Sequence, residues 1–298
     1  MTEVKFFIVD AFTQTRYAGN PAGIVLTDEP LSEIQMSAFA GELHLETAFA
    51  SPLADGAADF AVAYYTGTAR VPLCGHDTIA LASVLAQTGR LPAPGRITLA
   101  TDVGRMAVSI DAQGRVTMDQ ALPVYGSRLD PEAAADALGL SVSEITDTHL
   151  PVQIVSTGTP FVIVPIVHAA ALSALSPDMA ALIAYGDSLD DYVAGFYVWS
   201  SETVNATSQI HARCFAPALG LPEDPVTGTA SGALGAFLAR QGRMRPDGAG
   251  VVQFRTEQGY AMGRPGTVEV QLEISGGEVT RVQVSGYAVI TGEGTLQG

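Results

Sequence analysis

Cys74-Gly75-His76-Asp77 gathers a thiol, an imidazole and a carboxylate within four residues, and Glu223-Asp224-Pro225-Val226-Thr227-Gly228-Thr229 supplies two carboxylates and two hydroxyls. These groups suit proton transfer: a carboxyl or imidazole removes a proton and returns it, while neighbouring polar groups orient the substrate. In both clusters a glycine opens an apolar run, so each reads as the start of a helix. A helix start presents unpaired backbone N–H groups and the positive end of the dipole, which attract a carboxylate. The chemistry in view is acid–base work on a small organic acid.

The helices that carry these clusters read alike. GHDTIALASVLAQTGRL at 75–91 aligns without gaps to GTASGALGAFLARQGRM at 228–244, with identities that include Gly75/Gly228, Leu81/Leu234, Leu85/Leu238 and Gly89/Gly242. Apolar residues on nearly every face mark helices buried all round. The echo extends to Thr101–Gly104 against Thr256–Gly259 and, more weakly, to Gly19–Val25 against Gly158–Val164, which implies a degenerate internal duplication. Further helices are expected at 31–42, where Ser32 and Gln35 form a capping box, and at 131–138 behind Pro131; residues 169–184 also read as helical. β-branched and aromatic runs such as VKFFIVDAF, FAVAYYT, AGFYVWS and VEVQL dominate the rest. The expected fold is α+β, with two pseudo-symmetric lobes, each a curved mixed sheet wrapped around its central apolar helix. The polar, proline-containing stretch 119–130 suggests the boundary. One lobe then spans 1–120, completed by a strand at about 284–298, and the other spans 121–283.

Composition narrows the partners. A chain of 298 residues with 47% apolar and 15% charged residues has a large core and little disorder. Its net charge of −16, with Lys5 the sole lysine, argues against nucleic acid and anionic membrane surfaces. No apolar run is long enough to span a bilayer, and the start shows no basic segment followed by a long apolar one. Two cysteines, Cys74 and Cys214, point to reduced thiols and a cytoplasmic setting. Dinucleotide-fingerprint, phosphate-loop, nucleophile-elbow and CxxC or HExxH patterns are all missing, so neither a cofactor nor a metal is expected. His44, His149, His168 and His211 are scattered and read as structural or exposed, although His44 stands two residues from Glu46.

DAF…GNPAGIVL at 10–26, ETAF at 46–49, LCGHDTIALA at 73–82, FAP at 215–217 and EDPVTGTASGAL at 223–234 together resemble the PhzF-like family over essentially the whole chain. The resemblance implies a diaminopimelate-epimerase type of fold, an active site between two lobes, commonly a homodimer, and isomerisation without metal or organic cofactor. The family's phenazine-pathway member isomerises trans-2,3-dihydro-3-hydroxyanthranilate. By motif, the family's acid/base glutamate falls on Glu46, its helix-start histidine on His76 and its cleft aspartate on Asp224; Cys74, Gly75, Asp77, Gly228 and Thr229 would bind the substrate carboxylate and its neighbours. Leu45 and Thr229 stand where relatives often carry serine, and Cys74 where the phenazine enzyme has a small non-nucleophilic residue.

Two other functions compete with the isomerase. A cofactor-independent epimerase would use Cys74 on one face of a stereocentre, but Thr227 occupies the position equivalent to it in the second repeat, so an opposed thiol is missing. A non-catalytic binder of small carboxylates would need the helix starts yet no base, and Glu46 with His76 argues against it.

Overall fold

The computed structural model describes residues 3–53, 56–67 and 69–297. The chain divides into two compact units, Met1–Asp119 with Ser285–Gly298, and Gln120–Val284. The first unit contains β1 (Glu3–Ala11), β2 (Asn20–Leu26), α1 (Glu33–Leu43), β3 (Thr47–Pro52), β4 (Phe60–Tyr65), β5 (Arg70–Val71), α2 (Gly75–Gln87), β6 (Gly95–Thr101), β7 (Gly104–Ile110) and β8 (Val116–Gln120). The second contains β9 (Val124–Leu129), α3 (Pro131–Leu138), α4 (Val142–Thr146), β10 (Val152–Ser156), β11 (Pro160–Pro165), α5 (Ala169–Ala174), α6 (Met179–Asp187), β12 (Gly195–Ser200), β13 (Ile210–Ala216), β14 (Leu221–Asp224), α7 (Gly228–Arg240), β15 (Val251–Gln258), β16 (Gly266–Ser275) and β17 (Glu278–Gly286). The last strand, β18 (Ala288–Gln297), belongs to the first unit, where it pairs antiparallel with β1.

Both units use the same order of strand pairings. In the first, β1 runs antiparallel to β2, β2 parallel to β3, β3 antiparallel to β4, β4 parallel to β6, and β6 antiparallel to β7. In the second, β10, β11, β12, β13, β15 and β16 repeat that alternation. Parallel neighbours require crossovers, and the long ones are supplied by α2 between β4 and β6 and by α7 between β13 and β15. Each helix is packed by several strands of its own unit: α2 by β1, β2, β3, β7 and β18, and α7 by β10, β11 and β16. Residues His76–Leu85 of α2 are buried without a break, and α7 is buried apart from Thr229 through Leu238. The fold is therefore α+β, a mixed sheet around a buried helix in each unit. Small residues on α7 permit this close wrapping, since a Cβ at Gly232 would collide with the Gln120 side chain and one at Gly235 would lie 2.9 Å from Val270.

Local signals set the starts of three helices. Ser32 and Gln35 form the reciprocal capping box of α1, and Asp130 caps α3 with Pro131 in its first turn. Residues 169–184 form two helices rather than one. Pro177 disfavours a helical residue before it, and Asp178 starts α6 by accepting from Ala180 N at 2.8 Å. The carbonyls of Leu172 and Leu175 at this break accept from Arg213 Nη1 at 2.9 and 2.7 Å, and Leu172 O also accepts from Leu175 N at 3.3 Å. The 119–130 stretch is also more ordered than its composition suggests, because β9 pairs there with β10. Among the described residues no helix is long and apolar enough to cross a membrane.

Candidate active site

Glu46 lies between the end of α1 and the first residue of β3. His44 ends α1 in the left-handed conformation, with φ 52°, and is exposed. Glu46 is then fixed through its backbone: its carbonyl accepts from Gly23 N at 2.8 Å, and the Thr47 hydroxyl donates to Leu45 O at 3.0 Å. Gly23 pairs with Thr47 across the parallel β2–β3 register, and a Cβ at Gly23 would lie 2.5 Å from Thr47 Oγ1. Gly23→Ala is thus expected to destabilise the protein by about 1–3 kcal/mol, the usual cost of overpacking, as read by chemical denaturation. An unchanged denaturation midpoint would show that β3 gives way freely.

Cys74 is the N-cap of α2, and its carbonyl accepts from Thr78 N at 3.1 Å and from the Thr78 hydroxyl at 2.7 Å. The buried Tyr64 hydroxyl completes this lock at 2.7 Å from Thr78 Oγ1, which sets the direction of the helix start. The Cys74 side chain consequently faces Glu46. Its Sγ donates to Glu46 Oε2 at 3.2 Å and lies 3.3 Å from His76 Nδ1. His76 Nε2 stands 3.5 Å from Glu46 Oε2 and 3.3 Å from Asp77 Oδ1. Asp77 is fully buried, whereas the Glu46 side chain keeps 24% of its surface exposed. Four chemically active side chains from one unit therefore meet at the start of α2, and Glu46 is the one most open to a ligand.

Burial pushes the Cys74 thiol well up, reinforced by the charges of Asp77 and then Glu46. Burial likewise raises Cys214, with Asp224 adding to it. A thiol held neutral is a hydrogen-bond donor rather than a nucleophile. It also links stability to pH: below about pH 8.5 both thiols are protonated whether the chain is folded or not, and above it only the unfolded chain loses those protons. The contribution is fully present below the unfolded thiol value and is lost as pH rises beyond it. The denaturation midpoint is expected to fall between about pH 8 and pH 10, and iodoacetamide to spare both thiols of the folded protein at about pH 8. Rapid alkylation of folded Cys74, read by intact mass, would contradict this.

The second helix start is built differently. Thr227 caps α7 by position, but its hydroxyl donates to Asp224 Oδ2 at 2.5 Å. Gln258 braces the turn, accepting from Thr227 N at 3.0 Å and donating to Asp224 O at 2.6 Å. Gly228 O accepts from Gln120 Nε2 at 3.0 Å, and Thr229 O from the Thr157 hydroxyl at 3.3 Å. Glu223 forms two 2.8 Å hydrogen bonds with the buried Arg213 and is thereby a structural acid. Gln258, Gln120 and Arg213 escaped the sequence reading, although Gln258 lies inside the Thr256–Gly259 echo. Asp10 of the DAF motif is also structural: it is buried and accepts from Tyr17 N at 2.6 Å, closing the turn between β1 and β2.

The remaining histidines stay outside these clusters. His168 is exposed and bonded to Glu144, while buried His211 has its basicity lowered by burial. The second unit also holds a cavity of about 620 Å³ beside the last turn of α7, lined by Trp199, Leu238, Arg243 and Phe254 among others and by none of residues 224–229. Three atoms suited to metal binding, one each from Glu46, Cys74 and His76, lie within 4.8 Å of one another.

A mixed sheet wrapped round a buried helix, twice in one chain, defines the epimerase-type fold. The crystal structure of a hydroxyproline epimerase from Agrobacterium vitis matches with a TM-score of 0.69 over 99% of this chain and 91% of that one, at 12% identity, a likeness of fold alone. The chain belongs to the phenazine biosynthesis-like (PhzC-PhzF) protein family, whose model matches residues 9–294. A Bacillus anthracis phenazine biosynthesis protein of the PhzF family has a TM-score of 0.89 with full coverage of both chains and 28% identity. An uncharacterized isomerase of Deinococcus radiodurans is 39% identical over 99% of this chain and 95% of its own length. The trans-2,3-dihydro-3-hydroxyanthranilate isomerase of Pseudomonas chlororaphis is 32% identical over 98% of each chain.

Proposed function

We propose that the protein is a cofactor-independent isomerase that moves a proton within a small, cyclic or aromatic-precursor carboxylic acid, with Glu46 as base and then acid. The observation that carries this reading is the grouping of Glu46 Oε2, Cys74 Sγ and His76 at the start of α2, with Glu46 partly open to solvent. A carboxylate takes the proton from one carbon, becomes neutral, and returns it to another carbon on the same face. The neutral Cys74 thiol supports the charged state of Glu46 by donating to Oε2 and is left in place when the carboxyl is protonated. His76 Nε2 lies 3.5 Å from the same Glu46 oxygen, and His76 is assigned to orient the polar groups of the substrate. Gly75 and Asp77 at the start of α2, with Gly228 and Thr229 at the start of α7, are assigned to substrate binding, and Asp224 is assigned a catalytic role by family motif.

Epimerisation through Cys74 is the second reading, favoured by the fold shared with a hydroxyproline epimerase. Against it, burial pushes the thiol towards its neutral form, and the position equivalent to Cys74 is Thr227, whose hydroxyl donates a hydrogen bond to Asp224, rather than a second thiol. The carboxylate preference is tested by thermal denaturation with a panel of small cyclic acids, including dihydro-hydroxyanthranilate and benzoate analogues. A ligand at 100 times its Kd adds about 2.7 kcal/mol, so an accepted acid is expected to raise Tm by roughly 5 °C or more. If amides of the same rings shift Tm equally, the site does not select carboxylates.

A further inference from the structure

Glu46, Cys74, His76 and Asp77 together have a composition that proton transfer alone does not require. A thiol, an imidazole and a carboxylate offer one donor atom each within 4.8 Å of one another. Tetrahedral zinc, with bonds of about 2.0–2.3 Å, sets its ligand atoms about 3.3–3.6 Å apart. Here Cys74 Sγ is 3.2 Å from Glu46 Oε2 and 3.3 Å from His76 Nδ1. The other imidazole nitrogen, Nε2, lies 3.3 Å from Asp77 Oδ1 and 3.5 Å from Glu46 Oε2, so a buried carboxylate stands beside it. A metal-bound histidine characteristically hands its second N–H to a carboxylate, which fixes the ring and strengthens the ligand.

We propose that this cluster is a binding site for a thiophilic divalent cation, zinc above all, and that occupancy shuts the enzyme off reversibly. The inhibition rests on the reading of Glu46 as the base; the binding does not. The Cys74 S–H bond breaks, its proton leaves to solvent, and Sγ, His76 Nδ1 and Glu46 Oε2 bond to the ion, with water in the fourth position. The oxygen lone pair that would accept the substrate proton is then committed to the metal. Thiolate and imidazole select zinc over magnesium or calcium, which take oxygen ligands. Partial exposure of Glu46 leaves a path for the ion.

Cobalt(II) is the probe, added to the full-length protein after chelator treatment and dialysis. One equivalent per chain is expected to give a thiolate-to-cobalt charge-transfer band in the near ultraviolet and intense tetrahedral bands in the visible, all discharged by zinc. Cys74→Ser should lose the charge-transfer band and Cys214→Ser should keep it. Asp77→Asn, which neutralises the carboxylate beside the second nitrogen, should weaken binding about 10- to 100-fold, and Glu46→Gln at least as much. Circular-dichroism melts establish that each variant is folded. Absence of the band in the wild type, its persistence in Cys74→Ser, or its indifference to both Glu46→Gln and Asp77→Asn would overturn the site. Stoichiometric zinc that leaves turnover unchanged would overturn the switch. If the spectra behave as expected while Glu46→Gln still turns over, the metal site stands and the assignment of the base falls; a dead Glu46→Gln enzyme beside a wild type that gives no cobalt band has the opposite meaning.

Discussion

Glu46→Gln is expected to lower kcat on an accepted substrate by about 10³-fold or more while leaving the fold and the melting temperature near wild type. Acid–base catalysis by a positioned side chain contributes roughly 10²–10⁴-fold, and a residue that both removes and returns the proton sits at the upper end. The amide keeps the shape of the carboxyl. Its backbone supports, Gly23 N to Glu46 O and Thr47 Oγ1 to Leu45 O, do not involve the side chain and should survive. Binding of the acid, read as a thermal shift, is expected to persist, so the loss falls on kcat rather than KM. A variant that keeps most of wild-type kcat would remove Glu46 from the chemistry.

The largest effect on stability is expected at Arg213, which is buried and uses Nε and Nη2 on Glu223 and Nη1 on Leu172 O and Leu175 O. Arg213→Ala would strand the Glu223 carboxylate and take a donor from two carbonyls at the break between α5 and α6, of which Leu172 O keeps its bond from Leu175 N. Removing one partner of a buried pair costs about 3–5 kcal/mol, which corresponds to a fall in Tm of roughly 10 °C. The companion double variant Arg213→Met with Glu223→Met removes both charges and is expected to recover much of that loss. If the single and double variants melt together, the carbonyl contacts rather than the ion pair dominate the site. Activity in Arg213→Ala should also drop, because Glu223 anchors the strand that carries Asp224.

The sequence spoke most clearly where local physics decides structure. An apolar run with small residues on every face can only be a buried helix, and α2 and α7 follow from that pattern; Ser32, Gln35 and Pro131 set their helix starts by capping chemistry that needs no partner. Cys74, His76 and Asp77 are neighbours in sequence, so their proximity was legible, and the ETAF motif added Glu46. That the Cys74 thiol contacts both Glu46 and His76 was not legible, because it depends on the β2–β3 register held by Gly23 and on the lock of Tyr64 onto Thr78. The same limit hid Arg213, whose partners lie on α5 and β14, and Gln258, which reaches back to Asp224 from β15. Pro177 could have revealed the break between α5 and α6, since the residue before a proline resists helix. β9 was harder: its burial is slight, and its strand character comes from pairing with β10 rather than from its own residues.

The most direct test of the central claim is hydrogen exchange during turnover in deuterated water, with trans-2,3-dihydro-3-hydroxyanthranilate and the acids that raise Tm as substrates. Carbon-bound deuterium is followed by NMR for wild type, Glu46→Gln and Cys74→Ala. Wild type is expected to isomerise an acid with deuterium appearing at the new C–H position and no inversion elsewhere. Cys74→Ala should remain active at a reduced rate, and Glu46→Gln should neither exchange nor isomerise. Exchange at near-wild-type rate in Glu46→Gln, or its complete loss in Cys74→Ala together with a racemised product from wild type, would contradict a single-carboxylate proton transfer.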